Sequence, residues 1–336
     1  MPSAFRRAAW RSRHAVLASV LLAQGCAGVQ SSLDPAGPVS EAVARAWWVM
    51  LWASAAIFAL TIGLALYAAL RNADRPMPMR PKTLVVALGL VFPVVVLVPL
   101  LMWAVHLGPS ILPSGADRDV YRVDVRGHQF WWEVSYPDAP GGAVVHAANE
   151  LHVPVGRPVH VRLTSEDVIH SFWVPQLGVK QDAMPGHTTT TRLQAARSGV
   201  FRGQCAEFCG AQHARMAVVV QAHEPDALER RLATMATEGS VLRERAQPAA
   251  MAAFNEHCAG CHSVDAGERG SGRGPNLAGV AQRATLGAGT LDNRPGALRE
   301  WLMRHQELKP GSRKPSHSHL DPALIDAIAG LLEGGR

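Results

Sequence analysis

Two long apolar stretches stand out near the start of the chain. Residues 46–70 and 83–105 contain no Asp, Glu, Lys or Arg. As helices, both are long enough to cross a hydrocarbon core of about 30 Å. Trp47, Trp48 and Trp103 lie near their ends, where interfacial aromatic residues are enriched. The pattern predicts a transmembrane helical hairpin, and the competing interpretation, a buried hairpin of a soluble protein, fits these lengths less well.

The charges between the two stretches predict the orientation of the hairpin. Arg71, Arg75, Arg80 and Lys82 lie in the connecting loop against Asp74 alone. Loops rich in Lys and Arg remain on the cytoplasmic side of the membrane. Everything after about residue 107 is therefore expected outside the cytoplasm. The spans offer no charged side chain for a proton path, which normally contains one.

Residues 1–25 have the pattern of a signal peptide. A basic segment precedes an apolar core at residues 15–23 and a small-residue exit; its arginines are Arg6, Arg7, Arg11 and Arg13. Cys26 directly follows and resembles the lipidated cysteine of a lipoprotein, although Gln24 makes that motif imperfect. Cleavage without lipidation, or no cleavage, are the alternatives.

Beyond the hairpin the apolar period changes to that of strands. Residues 120–126, 151–155, 159–163 and 216–222 are alternating or β-branched runs separated by Gly and Pro turns. They predict a Greek-key β-sandwich over residues 107–223, with functional residues on loops at one end. Residues 224–248 predict a helix and linker, and residues 249–336 a third, helical module.

Composition narrows the class of protein. A chain of 336 residues with 48% hydrophobic residues suits a few membrane spans joined to soluble domains. The net charge of +6 is not gathered into a basic stretch with interleaved aromatic residues, so no nucleic-acid partner is expected. Each of the five cysteines has an assignment other than a structural disulfide.

One short loop contains several potential metal ligands. Cys205, Cys209, His213 and Met216 bring two thiols, an imidazole and a thioether within twelve residues. Soft sulfur donors combined with imidazole suit copper. Zinc sites have little use for methionine, and their cysteines are spaced differently. A buried cysteine pair with an unrelated His and Met is the remaining alternative.

A second motif opens the third module. Cys258, Cys261 and His262 form Cys-x-x-Cys-His, the pattern of covalent c-type haem attachment. The thiols would bind the porphyrin and His262 the iron. The rival is a zinc site formed by the two cysteines with His317 and His319. The histidine directly after the second cysteine favours haem.

The copper-type loop resembles the dinuclear copper (CuA) loop of subunit II of haem–copper oxidases, and the segment around His170 resembles the upstream histidine segment of that family. The resemblance implies that Cys205 and Cys209 bridge two coppers. His170 and His213 would each bind one, with Met216 and the carbonyl of Glu207 as weak axial donors. Bridging thiolates spread the charge of one electron over both metals, and weak axial ligands tune the potential.

Over nearly the whole chain, the resemblance is to subunit II of a caa-type cytochrome c oxidase. It implies a membrane hairpin, a cupredoxin-like sandwich and a fused class I cytochrome c that relays electrons from haem c to CuA and on to subunit I for dioxygen reduction. The expected location is the bacterial inner membrane, with the copper and haem domains periplasmic. Expected partners are subunits I and III and an electron donor, either a c-type cytochrome or a quinol-oxidising complex. The alternatives are the electron-entry subunit of a CuA-type nitric oxide reductase and a copper-binding lipoprotein or assembly factor.

The sequence departs from the family pattern in the segment taken as the electron-entry site. Phe130 occupies the position where the family usually has a Trp for electron entry, so Trp131 or Trp132 are candidates beside it. The alternative is that these rings only pack the sandwich. His187 replaces an Arg that commonly follows the Gly178–Gly186 segment. Glu207 is also expected to bind magnesium at the seam with a partner subunit.

A further departure concerns the haem. Residues 309–315 resemble the Lys-Pro-Gly-x-x-Met-Pro segment that supplies the sixth iron ligand in fused cytochromes, but Lys314 stands at the Met position. Lys314, His317, His319 or an open site are the alternatives, and Met303 is the nearest other methionine. A nitrogen donor in place of the thioether lowers the haem potential, because Met ligation raises it.

Overall fold

The computed structural model describes residues 28–71, 80–114, 117, 119–269 and 271–334. The predicted signal peptide, Cys26 and most of the basic loop between the spans lie outside these residues.

The hairpin begins with α1 (Pro38–Leu70), which starts at a proline directly after Gly37. The return path consists of α2 (Pro81–Val86), a π-helical turn (Ala87–Val91) and α3 (Phe92–Ile111). Both paths are apolar and long enough to span a membrane, and the most apolar window of each is 0% buried within the chain. The second path runs beyond the predicted end at residue 105 and stops before Pro113, which disfavours helix at Leu112.

The start of α1 is tied to the sandwich rather than to the membrane. Ser40 donates a 2.6 Å hydrogen bond to the carbonyl of Gln176, which also accepts from the Ala36 amide at 2.8 Å. Val39, Ser40, Ala42 and Ala44 are buried. These contacts set the hairpin against the soluble part of the chain.

In the strands at residues 159–165 and 199–205, buried side chains alternate with more exposed ones, as the period-two pattern predicts, whereas the strands at residues 145–148 and 150–154 are buried at every position. Their bounds are β1 (Tyr121–His128), β2 (Trp131–Tyr136), β3 (Val145–Ala148), β4 (Glu150–Pro154), β5 (Val159–Ser165), β6 (His170–Trp173), β7 (Gln181–Ala183), β8 (Thr189–Leu193), β9 (Gly199–Cys205) and β10 (Ala217–His223). One sheet has the order β3-β2-β1-β5-β8 and the other β4-β10-β9-β6-β7.

The two sheets enclose a core of large apolar side chains. Trp132, Tyr136, Phe172, Phe201 and Leu163 are each at most 1% exposed. Full burial of such a side chain contributes about 1.5–3 kcal/mol. The core holds β6 and β9 rigid, and a 3₁₀ turn (His213–Arg215) connects the end of β9 with β10.

The helical module follows α4 (Pro225–Arg245), which packs Leu228, Leu232 and Met235 against the sandwich. The remaining elements are α5 (Pro248–His257), a 3₁₀ turn (Val280–Gln282), β11 (Thr285–Leu286), β12 (Leu291–Asp292), α6 (Ala297–Leu308) and α7 (Pro322–Glu333). Their apolar faces form a second core around Phe254 and Ile325. The predicted fold class, a membrane hairpin followed by a β-sandwich and a helical module, is confirmed.

Candidate metal and haem sites

The strand pairing brings the two copper-type segments together. Strand β6 begins at His170 and pairs with β9 in a register that sets Phe172 opposite Cys205. On its other side β6 pairs with β7, where Ala183 lies opposite His170. A Cβ on Gly127 would lie 2.6 Å from the His170 ring, so only glycine leaves that ring its place.

The side chains of these segments converge on one point. The Cys205 and Cys209 sulfurs are 3.8 Å apart. His170 Nδ1 is 3.8 Å from the Cys205 sulfur, and His213 Nδ1 is 3.7 Å from the Cys209 sulfur. The ligand atoms of His170, Cys205 and Cys209 lie within 4.8 Å of one another, and all three residues are buried.

The two expected weak donors lie beside the same sulfurs. The Met216 thioether is 3.9 Å from the Cys209 sulfur, and Met216 is 1% exposed. The Glu207 carbonyl oxygen is 3.2 Å from the Cys205 sulfur. Each thiol therefore has one imidazole and one weak donor beside it, a donor set that fits a pair of copper ions.

A carboxylate that the sequence analysis did not single out orients His170. Asp167 Oδ1 is 2.9 Å from His170 Nε2, which leaves Nδ1 facing the sulfurs. Carboxylates in this position fix the ring orientation of metal-binding histidines. Burial raises the pKa of Asp167, but hydrogen bonds from His170 and from the amides of Gln129 and Val168 outweigh it and lower the value to about 2. In the sequence, the one feature that could have indicated this role of Asp167 is its position three residues before His170.

The thiol pair is polarised before any metal binds. The hydrogen bond from Cys209, together with one from His170, lowers the pKa of the Cys205 thiol. The same contact raises the pKa of Cys209, because a second negative charge beside the first is unfavourable. Bound copper would remove that conflict, because its positive charge would stabilise both thiols in the deprotonated form.

The three aromatic candidates for electron entry have different positions. The edge of Phe130 lies at the copper loop, 3.2 Å from where a Cβ on Gly210 would be. Trp132 is fully buried, and its ring centroid is 5.8 Å from that of His170. Trp131 stacks on His128 at 4.3 Å and contacts Ala288 of the helical module. Their role in electron entry stays a prediction.

The Cys-x-x-Cys-His motif follows α5 directly. Cys258 is buried and Cys261 partly exposed, and neither forms a disulfide. His262 Nδ1 lies 2.7 Å from the Pro275 carbonyl, so Nε2 remains as the nitrogen for iron. A Cβ on Gly274 would lie 2.5 Å from this ring. Burial lowers the pKa of His262, which favours the neutral form that binds a metal. The residues present fit a covalent haem c.

Lys314 lies on the same side of the helical module as the motif. Burial lowers its pKa to about 8, and the thiols of Cys258 and Cys261 are near enough to oppose that shift. Its Nζ is 2.7 Å from His317 Nδ1. His319 is exposed, whereas Met303 packs against the module core.

The Glu207 side chain is exposed, as is His187. The magnesium site predicted for Glu207 requires ligands from another chain, and it stays a prediction. Among the described residues, the group whose potential ligand atoms lie close enough to hold a metal is His170, Cys205 and Cys209. Cys258 and Cys261, the cysteines of the alternative zinc site, are not part of this group.

Two stretches of the chain match known protein families. Residues 140–223 match the family described as cytochrome c oxidase subunit II, periplasmic domain, and residues 249–334 match the cytochrome c family. Cytochrome c oxidase subunit 2 of Alkalihalophilus pseudofirmus is 32% identical over 327 residues, which cover 93% of each chain. That of Bacillus sp. strain PS3 is 32% identical over 64% of this chain and 62% of its own length.

A solved structure is similar to part of the chain. The crystal structure of the periplasmic domain of subunit II of cytochrome oxidase from Bradyrhizobium japonicum is 32% identical. It covers 37% of this chain and 96% of its own, with a TM-score of 0.33. The matches carry no support for the nitric oxide reductase or copper lipoprotein alternatives. The chain belongs to the cytochrome c oxidase subunit II family, as an electron-transfer subunit of a haem–copper oxidase with dinuclear copper and a covalent haem c.

Proposed function

We propose that the relay within this chain runs from a haem on Cys258, Cys261 and His262 to a copper pair on Cys205 and Cys209. His170 and His213 would supply the nitrogen ligands, and Met216 and the Glu207 carbonyl would be the weak donors. The observation that carries the assignment is the 3.8 Å separation of the two sulfurs, each with an imidazole nitrogen beside it. When bound, the copper pair and the haem supply one-electron redox chemistry.

The residues of the chain contribute rigidity to this relay. His170 stands on a strand paired on both sides, and Asp167 holds its ring. Little rearrangement of ligands accompanies a change of one charge when the scaffold is rigid and the charge is shared between two sulfurs. The buried position of both cysteines keeps water away from the sulfurs.

The sixth iron ligand in this proposal is Lys314, with His317 as its hydrogen-bond partner. The support is the 2.7 Å contact between their nitrogens and the interaction of Lys314 with both haem-attaching thiols. Magnetic circular dichroism and EPR of the oxidised haem test it. A histidine–lysine signature supports Lys314, and a thioether signature would point to Met303 instead.

The hairpin anchors the chain in the bacterial inner membrane, with the copper and haem modules in the periplasm. The hairpin packs against subunit I, and subunit III completes the complex. A lipid on Cys26 adds a second anchor. Mass spectrometry of the mature N-terminus tests for this lipid.

The donor to the haem is a c-type cytochrome or a quinol-oxidising complex. Glu207 shares a magnesium ion with the partner subunit.

Cofactor analysis of the purified complex tests the ligand assignment. Two coppers and one covalent haem are expected in this chain. Cys209→Ser should remove the copper and leave the haem, and Cys258→Ala, the matched control in the other module, should damage haem attachment and leave the copper. Retention of both coppers by Cys209→Ser would contradict the assignment.

A further inference from the structure

The helical module touches the copper loop through one short segment, residues 308–313, here called the docking segment. Its Leu308 carbonyl accepts a hydrogen bond from Arg215, and its Pro310 carbonyl accepts one from Gln212. Both donors belong to the loop between Cys209 and Met216. The docking segment also ends one residue before Lys314, at the edge of the haem site.

Lys309 is the centre of this contact. Its side chain is almost fully buried, with a relative exposure of 3%. Its Nζ donates to three carbonyl oxygens: Phe130 at 2.9 Å, Arg215 at 2.8 Å and Gly287 at 2.7 Å. Two of these belong to the copper module and one to the helical module. The ammonium thus joins three chain segments that are distant in sequence.

Chemically, this is an unusual place for a lysine. Within the described part of the chain, the hydrogen-bond partners of Nζ are carbonyl oxygens rather than a carboxylate. Burial and the nearby Arg215 lower the pKa of Lys309 to about 7, whereas three carbonyl acceptors favour the ammonium, which has three N–H bonds to donate. A buried cation is tolerated only where its hydrogen bonds are made. Lys309 is therefore satisfied in the docked arrangement, and separation of the modules would remove two of its three acceptors.

The acceptors lie next to the copper ligands. Arg215 immediately precedes Met216, and the Phe130 ring contacts Gly210, which follows Cys209. At the outer edge, Arg313 donates to Gln129, whose amide in turn donates to the Cys209 carbonyl at 2.6 Å. Arg313 also lies 3.6 Å from Asp167, the carboxylate that orients His170.

We propose that Lys309 is a positioning residue for electron transfer within the chain: it holds the haem module on the copper loop in one fixed arrangement. The step it serves moves one electron from the reduced haem to the oxidised copper pair, with no bond formed or broken and no proton transferred. The proposal rests on the haem-to-copper relay proposed above.

The test uses the complete oxidase complex with Lys309→Met, which keeps an unbranched side chain about as long as the apolar part of lysine and removes the ammonium. A light pulse reduces the haem, and the transfer rate is then measured from the reduction of the copper pair. We expect this rate to fall about tenfold or more, because the loss of even one hydrogen bond to a charged group lowers the population of the docked arrangement by about that factor. The spectra and potentials of both centres should stay unchanged, which a merely structural role in either site would not allow.

Arg304→Met is the matched control. Arg304 is an exposed cation on α6 of the same module, so its loss should leave the transfer rate unchanged. Arg313→Gln removes the outer contact from a side chain that is 63% exposed and does not endanger folding. It should slow transfer in the same direction as Lys309→Met but less.

The outcomes separate the proposals. Transfer at the wild-type rate in a fully loaded Lys309→Met complex would overturn the role of Lys309. If that variant fails to assemble, Lys309→Gln takes its place: its neutral amide has two N–H bonds for three carbonyls, and a wild-type transfer rate in it would overturn the role of Lys309 in the same way. Absence of haem-to-copper transfer in the wild-type complex contradicts the relay itself, whatever the variants do.

Discussion

The copper module and the haem module each provide the ligands of a redox cofactor. They differ in how rigidly the fold holds those ligands. The copper-type donors stand at the ends of β6 and β9 and in the short loop after β9, and the carboxylate of Asp167 locks His170. In the haem module, the segment opposite His262 is a loop from Lys309 to Pro315, joined to α6 by hydrogen bonds of His305 and Gln306 to the Lys314 carbonyl. A site framed by paired strands has little freedom to change its donors, whereas a loop accommodates a lysine where the family has a methionine.

Removal of the carboxylate behind His170 should produce the largest effect. Asp167→Ala frees the imidazole ring, and loss of such a partner typically costs 10–100-fold in metal affinity. Copper retention against a chelator, measured in the purified complex, checks this expectation. Asp138→Ala, which changes an exposed carboxylate of the same sandwich, is the control and should retain copper normally. Equal retention in the two variants would mean that strand pairing alone orients His170.

The second prediction concerns the haem module, where the candidate iron ligand lies on a loop. Lys314→Met restores the sulfur donor of the family pattern, and Met ligation raises the haem potential. We expect a higher potential and a spectral change at the haem, with the copper spectrum unaffected. Redox titration of the purified complex measures both centres. A haem potential that does not change would show that Lys314 is not a ligand. His319→Met, a substitution at an exposed position just after this loop, should leave the haem potential unchanged.

A third prediction uses acid to test the seam between the modules. Glu133 of β2 lies 2.6 Å from Arg269 of the haem module and 3.0 Å from His128. Burial raises the pKa of Glu133, but these hydrogen bonds outweigh it and lower the value to about 2. A carboxyl with a lowered pKa stabilises the fold above its unfolded value of 4.5, and this contribution is lost as pH falls toward 2.

Thermal unfolding as a function of pH measures that contribution. Glu133→Gln should lower stability at neutral pH by roughly 1 kcal/mol. It should also weaken the dependence on pH between about 4.5 and 2. Glu256→Gln, at an exposed site on α5, should leave the pH profile of the wild type. An unchanged profile in Glu133→Gln would show that the ion pair does not hold the modules together.

The last prediction concerns Phe130→Trp, which restores the ring usual in the family. Phe130 is 9% exposed and lies against Gly210 in a packed interface. A larger ring there overpacks the contact and costs about 1–3 kcal/mol. Differential scanning calorimetry detects this loss, and flash-induced electron transfer shows whether the larger ring changes the rate. Phe208→Trp, at a 76% exposed position of the same loop, should change stability little.

Much of the site followed from sequence because its chemistry is local. Cys205, Cys209, His213 and Met216 lie within one loop, and their soft donors indicate copper whatever the surrounding fold. Cys258, Cys261 and His262 likewise form a continuous motif. The predictions of family, electron-transfer function, copper and haem c are confirmed. The individual ligand roles and the domain boundaries stay predictions.

The sequence by itself determined which metal and haem ligands exist and which cofactors they suit, because the ligands of each motif lie close together in the chain and their chemistry depends only on residue type. Only the tertiary structure decided what acts across distance. Asp167 became a partner of His170 through a turn, and Lys309 met Phe130, Arg215 and Gly287 because the sandwich and the helical module pack against each other. Neither residue belongs to a periodic pattern: the role of Lys309 arises from burial and from acceptors remote in sequence, and that of Asp167 from the local turn that brings it to the His170 ring.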